Sequence, residues 1–283
     1  MRLPRPCARP GTTVRRLAAP GHAAIAGLLL VGLAACAAVP ATTATPETTT
    51  PGTAAPTALS GRLTVLAAAS LQVAFEDLAT DFEDTHPGVD VVASYDGSNA
   101  LVDQLVGGAR ADVLATADEQ SMQRAVDERV MDPATRVFAS NHLVLVVAHG
   151  NPKRITGLDA SLEGNKLVVC APVVPCGRAT AGVAERLGVG LAPVSEEGRV
   201  PDVLGKVVSG EADAGVVYAT DAHGATGKVE TVPIAGADEH PNRYPLSTVL
   251  DSPNPDAARA FVDHVLGPAG QETLATHGFG TPA

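Results

Sequence analysis

The sequence predicts an α/β fold on a largely parallel sheet, and three observations point there. Short apolar runs of strand length alternate with stretches whose apolar residues recur at helical spacing. The loops between them are short, with breakers such as Pro87-Gly88 at the junctions, which is the pattern of strand–helix units. The composition also supplies a core: 45% of the 283 residues are hydrophobic. Aromatics make up only 3% and Trp is absent, so that core must rest on Ala, Val and Leu.

The elements follow in order from Arg62. Leu63 to Ala68 is an apolar strand, and Leu71, Phe75, Leu78 and Phe82 then mark a helix with Ser70 placed to cap it. After the Pro87-Gly88 break, Val89 to Tyr95 is a second strand. Gly97-Ser98 opens a helix whose apolar face is Leu101, Val102, Leu105 and Val106. Asp112 to Thr116 is a third strand, and Asp118 caps a helix running to about Val130. His142 to Ala148 is a longer apolar strand. Lys166 to Ala171 is another strand, followed by a helix from Gly177 to Leu187. Val200, Val203, Leu204, Val207 and Val208 form an amphipathic stripe. Strands are expected over Ala214 to Ala219 and Tyr244 to Leu250, then two closing helices, one carrying Phe261, Val262, Val265 and Leu266 and one over Pro268 to Thr276.

Residues ahead of this region carry an address. Arg2, Arg5, Arg9, Arg15 and Arg16 precede a short apolar run from Ala23 to Ala35, which reads as a secretory signal over residues 1–35. The run falls short of the ~20 apolar residues that a bilayer span requires. Leu33-Ala34-Ala35-Cys36 resembles the bacterial lipobox, which implies cleavage before Cys36, lipid on its sulfur, and a protein held on the outer face of the cell membrane. An ordinary signal peptide with an incidental cysteine is the alternative. Residues 36–58 are almost wholly Ala, Thr and Pro with one charge, Glu47, and read as an extended tether.

The net charge is −11, and loss of a signal rich in arginine makes it more negative. That argues against nucleic-acid binding, which depends on neutralising phosphates. It also means that a bound anion must be held by local hydrogen-bond donors against the protein's overall field.

Three loops share a design suited to that task. Ala67-Ala68-Ala69-Ser70, Tyr95-Asp96-Gly97-Ser98-Asn99 and Val174-Pro175-Cys176-Gly177 each pass from a strand through small residues into a helix. Free backbone N–H groups and the positive end of the helix dipole make such starts anion sites. Singly, each serine is more simply a helix cap; the weight lies in their gathering at the carboxyl ends of strands, where α/β sheets bind ligands.

The segments TVLAAASLQVAFEDLATDFE, VVASYDGSNALVDQL, ADVLATADEQSM, GEADAGVVYATDA and YPLSTV, in that order from about Arg62 to Phe279, resemble the periplasmic molybdate-binding proteins of ABC importers. The resemblance implies a two-lobed type II periplasmic-binding fold, each lobe a mixed, mostly parallel sheet flanked by helices, with the ligand cleft between them. Residues 59–142 and 246–283 would form the first lobe and 143–245 the second. Matched by motif, Ser70 and Ser98 would each offer a hydroxyl and a backbone N–H. Cys176 and Val200 would each offer an N–H at a helix start, and Tyr218 its phenol. The ligand would be molybdate or tungstate, the partner an ABC permease, the protein a monomer without cofactor. Any metal would arrive inside the oxyanion and not as a bare ion.

An all-donor pocket suits a dianion that carries no proton at neutral pH, whereas an acceptor would favour protonated phosphate. Sulfate is also fully ionised, so size must separate it from the larger anions. Five to seven charge-assisted bonds at ~1.5–3 kcal/mol each reach the ~12 kcal/mol scale of nanomolar binding. Asp96, two residues before Ser98, departs from the family's small neutral residue there and is expected to face solvent or pair with a cation. Asn99 stands where a serine is common.

Of the four cysteines, Cys7 leaves with the signal and Cys36 takes lipid, so Cys170 and Cys176 remain. A disulfide between them is expected in an oxidising compartment; a redox or metal-binding pair and two reduced buried thiols are the alternatives. No catalytic residue is expected. Ser70 lacks the G-x-S-x-G elbow of a hydrolase, and no histidine is marked as its partner. The nearer rival is the same fold binding sulfate, phosphate or a small organic anion.

Overall fold

The computed structural model describes residues 58–282. The signal segment, Cys36 and all but the last residue of the tether lie outside the described residues. Two five-stranded sheets carry the architecture, each flanked by helices.

The first lobe begins with β1 (Gly61–Ala68), a single 3-10 turn over Ala69–Leu71, and α1 (Gln72–Thr85). It continues with β2 (Val89–Asp96), α2 (Ser98–Val106), β3 (Val113–Ala115), α3 (Glu119–Asp127) and β4 (Arg136–Asn141). The second lobe is built from β5 (Leu143–Ala148), β6 (Leu167–Cys170), α4 (Pro175–Leu187), β7 (Ser195–Glu197), α5 (Val200–Val208), β8 (Ala214–Tyr218), α6 (Ala219–Gly224) and β9 (Val229–Pro233). The chain then returns to the first lobe with β10 (Asn242–Thr248), α7 (Pro255–Leu266) and α8 (Pro268–Thr276). The return strand starts at Asn242, ahead of the 246 expected from the sequence.

The strand orders are β2-β1-β3-β10-β4 and β7-β6-β8-β5-β9. In the first sheet only β10 runs against its neighbours, and in the second only β5 does. These two reversed strands belong to the two places where the chain crosses between lobes: β5 follows β4 across His142, and β10 follows the return from β9. Strands β4, β7 and β9 were not anticipated from the sequence, and all three lie at sheet edges.

Each sheet buries both faces. In β1, Leu63, Val65 and Ala67 point toward α1 and α7, where Phe75, Phe82 and Phe261 pack edge to face. Leu66, on the opposite face, meets Leu101, Leu105 and Met122 of α2 and α3. In the second lobe α5 lies hard against β8. A side chain at Gly215 would stand 2.8 Å from Val203, so the glycine is what lets the helix approach. Asp118 caps α3 as expected, accepting from the Ser121 N–H at 2.9 Å. Ser70 does not cap α1. It sits inside the 3-10 turn with its hydroxyl directed elsewhere, and the helix begins two residues later at Gln72.

Candidate anion-binding site

Between the lobes lies a cavity of about 20 Å³ bordered by Ser70, Ser98, Cys176, Val200 and Tyr218 together. One water needs roughly 10–15 Å³ by the same measure, so the space admits a compact ion and excludes a sugar or peptide. All five residues singled out in the sequence therefore meet at one place, although they come from five different elements.

Each is delivered by a strand-to-helix junction. Ser70 follows β1, and Ser98 is the first residue of α2 with Gly97 as N-cap. Cys176 is the second residue of α4, behind Pro175, and Val200 is the first of α5, ahead of Pro201. The N–H groups of a helix's first turn have no partner inside the helix, so Cys176 and Val200 present theirs to the cavity. Tyr218 ends β8 and opens α6.

The hydrogen bonds behind the three hydroxyls decide their polarity. The Asn242 side-chain amide donates to the Ala117 carbonyl at 3.1 Å, which fixes the orientation of its NH₂ group, and donates again to the Tyr218 oxygen at 3.0 Å. The Tyr218 oxygen thus accepts from Asn242, and its O–H remains a donor that either Tyr244 or a ligand in the cavity can take. The Ala117 N–H donates to Ser98 Oγ at 3.0 Å, and the Ser98 hydroxyl is in the same position. Asn141 donates to Thr220 at 2.8 Å and lies 3.5 Å from the Tyr244 oxygen, and Tyr244 stands 3.1 Å from Ser70 Oγ. Ser70 and the Tyr244 phenol share one hydrogen bond, which either oxygen can donate. Burial raises the Tyr218 pKa well above the usual phenol value, aided by the nearby Tyr244, Asp118 and Asp221. Tyr218 and Ser98 are each only 1% exposed, so these donors face the cavity and not bulk water.

Asp96 borders the cavity but turns back on its own loop, accepting from the Gly97 N–H at 2.8 Å. Arg199, also at the border, is held by Asp202 at 2.9 and 3.0 Å and lies close enough to feel the Asp96 charge. One oxygen of the carboxylate is thus occupied by a backbone donor, while Arg199 is committed to Asp202. Cys170 and Cys176 form a disulfide that closes over Ala171–Pro175. Gly177 completes that turn: a side chain there would stand 1.9 Å from the Ala171 carbonyl.

A larger crevice of about 250 Å³ adjoins the cavity on the Ser70 side, bordered by Val73, Pro201, Leu204, Asp221, His223, His277 and Phe279. Its chemistry is different, with an apolar wall and a carboxyl group. Burial pushes the Asp221 carboxyl up to about 7, against one hydrogen bond from the Tyr218 N–H at 3.1 Å. Such a group repels an anion when charged, so the smaller cavity is the candidate anion site of the two. Among the described residues no cluster of three or more His, Cys, Asp or Glu is gathered for a metal ion.

Asn141, Asn242 and Tyr244 were not singled out in the sequence. The only trace of them is the position of the last two in the returning strand β10.

Two lobes joined by two crossings, with a donor-lined cavity between them, define a solute-binding protein of the kind that closes over its ligand. Residues 63–280 match the family described as bacterial extracellular solute-binding protein, and the chain belongs to that family. It is 38% identical over 259 residues to the molybdate-binding protein ModA of Mycobacterium tuberculosis, covering 91% of this chain and 96% of the relative. It is 35% identical over 234 residues to ModA of Escherichia coli, covering 77% and 89%. The periplasmic molybdate-binding protein of Azotobacter vinelandii has the same fold, with a TM-score of 0.69 at 23% identity, covering 78% of this chain and all of that one. The family is one of binding proteins and not of enzymes.

Proposed function

We propose that the protein captures molybdate or tungstate outside the cytoplasm and hands it to an ABC permease. The observation that carries this reading is the donor-rich lining of the cavity: Ser98 and Tyr218 each accept an N–H from behind, Ser70 stands beside them, and the Cys176 and Val200 nitrogens lie at helix starts. Three hydroxyls and two backbone N–H groups can supply five donors to a fully deprotonated tetrahedral dianion. Phosphate at neutral pH keeps a proton, which the backbone N–H groups cannot accept. Ser70, Ser98 and Tyr218 serve as hydroxyl donors, and Cys176 and Val200 as backbone donors. The lobes take residues 59–142 and 242–283 against 143–241, the return to the first lobe falling at Asn242 where β10 starts and not at 246. The molybdate-binding relatives support the choice of ligand.

The remaining parts of the reading come from the sequence ahead of the described residues. Signal cleavage before Cys36 and lipid on its sulfur would leave a monomer tethered to the outer face of the membrane by residues 36–58. Calorimetric titration of the delipidated protein tests the ligand. Molybdate and tungstate are expected to bind near nanomolar affinity, sulfate far more weakly and phosphate not at all. Tight binding of sulfate without molybdate would reject the assignment.

A further inference from the structure

We propose that Arg178 and the disulfide-bounded loop beside it form a clasp that joins the two lobes and sets how long the closed cleft holds its anion. Arg178, on α4 of the second lobe, reaches Asp118 of the first lobe with two bonds, Nε at 2.8 Å and Nη2 at 2.6 Å. The same Nη2 reaches Ser121 Oγ at 2.9 Å and Asn99 Oδ1 at 3.5 Å. Ser121 in turn donates to Asn99 Oδ1 at 3.0 Å. In the opposite direction the Asn99 amide donates to the carbonyl of Val173, inside the disulfide loop, where Arg178 Nη1 also donates. Three side chains of the first lobe thus interlock with one side chain and one carbonyl of the second.

Among the described residues this is the one ion pair that spans the lobes; the others stay within the first or within the second. It is also well shielded, with Arg178 and Asp118 side chains only 22% and 15% exposed. Exposed pairs contribute little, whereas a shielded, two-pronged guanidinium–carboxylate contact is directional and resists salt. The clasp adjoins the cavity. The disulfide ties the Val173 carbonyl and Arg178 to the same turn that presents the Cys176 N–H, and Asp118 lies within electrostatic reach of Tyr218. Arg178 is therefore a positioning residue: it lies outside the cavity lining, and its contacts to Asp118, Ser121 and Asn99 exist only while the lobes are together.

The inference rests on the proposed function, and its test separates the two. Molybdate association and dissociation rates are measured for wild type, Arg178→Lys and Asp118→Asn. Asparagine still caps α3, and lysine keeps the charge but loses the fork. A clasp predicts dissociation about tenfold faster in both variants and association within about twofold. If the pair acts only through its field, Asp118→Asn binds the anion more tightly and Arg178→Lys behaves as wild type; either result overturns the clasp. Should wild type bind neither molybdate nor tungstate, the proposed function fails. The clasp is then read from ligand-free small-angle scattering, where Arg178→Lys must be more open than wild type; equal dimensions overturn it.

Discussion

The first lobe meets the cavity with serine hydroxyls, each steadied by a hydrogen bond from behind, whereas the second meets it chiefly with backbone N–H groups at the starts of α4 and α5. A hydroxyl can rotate, so the first lobe holds Ser98 with the Ala117 N–H and Ser70 with the Tyr244 phenol. A backbone N–H has no rotor, but its direction is only as good as the turn that carries it. The second lobe accordingly stiffens its turns with Pro175, Pro201 and the Cys170–Cys176 disulfide. Tyr218 is the exception, a second-lobe hydroxyl whose polarity is set by Asn242 on the strand returning to the first lobe. Side-chain donors and backbone donors thus reach the same end, preorganisation, by different means.

The largest effect is expected where the lobes touch. A side chain at Gly97 of the first lobe would stand 2.6 Å from the Gly198 carbonyl of the second, closer than real contacts allow. Gly97→Ala should keep the lobes from closing and weaken molybdate binding about a hundredfold, the loss expected when a few charge-assisted bonds go unmade. Its urea unfolding midpoint should stay within experimental error, because each lobe's own packing is intact.

Removing single hydroxyls sharpens the comparison. Tyr218→Phe and Ser98→Ala should each weaken binding roughly tenfold, one charge-assisted bond apiece. They should differ in stability. Ser98→Ala strands the buried Ala117 N–H and is expected to cost about 1–2 kcal/mol in chemical unfolding, whereas Asn242 keeps its bond to the Ala117 carbonyl when Tyr218 loses its oxygen.

Reducing the disulfide tests the second lobe alone. Treatment with dithiothreitol should lower stability by about 2 kcal/mol and weaken binding several-fold through the Cys176 turn. Ser70 and Ser98 should be unaffected, which amide exchange on α2 would register.

The smallest effect concerns pH. Asp221 has a pKa raised by burial from 3.8 to about 7, so folding favours its protonated form. Its contribution to stability is fully present below the unfolded value and is lost as pH rises through about 7. Above that pH the charged carboxylate, which lies near Tyr218 and Tyr244, also opposes the anion. Wild type should lose stability between about pH 4 and 7 and a few-fold in molybdate affinity between about pH 6 and 8, and Asp221→Asn should flatten both slopes.

The parts of the fold that could be read from the sequence carry a clear apolar pattern. Strands β6 and β8 are apolar throughout, β1 ends in the apolar run Val65–Ala68, the edge strand β2 alternates, and α5 has a clean stripe. The edge strands β4, β7 and β9 pack on fewer sides, and their polar residues conceal them; β7 is Ser195-Glu196-Glu197. Ser70, Ser98 and Cys176 were visible because turn chemistry is local: small residues before a helix are read within four or five positions; Val200 and Tyr218 come only from the family resemblance. The groups that aim them were not. Tyr244 lies 174 residues from Ser70, and nothing in the local pattern distinguishes its phenol from core packing. For the same reason Ser70 read as a cap, when its hydroxyl belongs to a long-range network.

A crystal structure with molybdate bound tests the convergence of donors from both lobes most directly. It should place the anion in the small cavity, with Ser70 Oγ, Ser98 Oγ, Tyr218 Oη and the Cys176 and Val200 nitrogens each at roughly 2.7–3.1 Å from an oxygen. Molybdate lodged instead in the crevice beside Asp221, or held by Arg199 with the three hydroxyls turned away, would contradict the account.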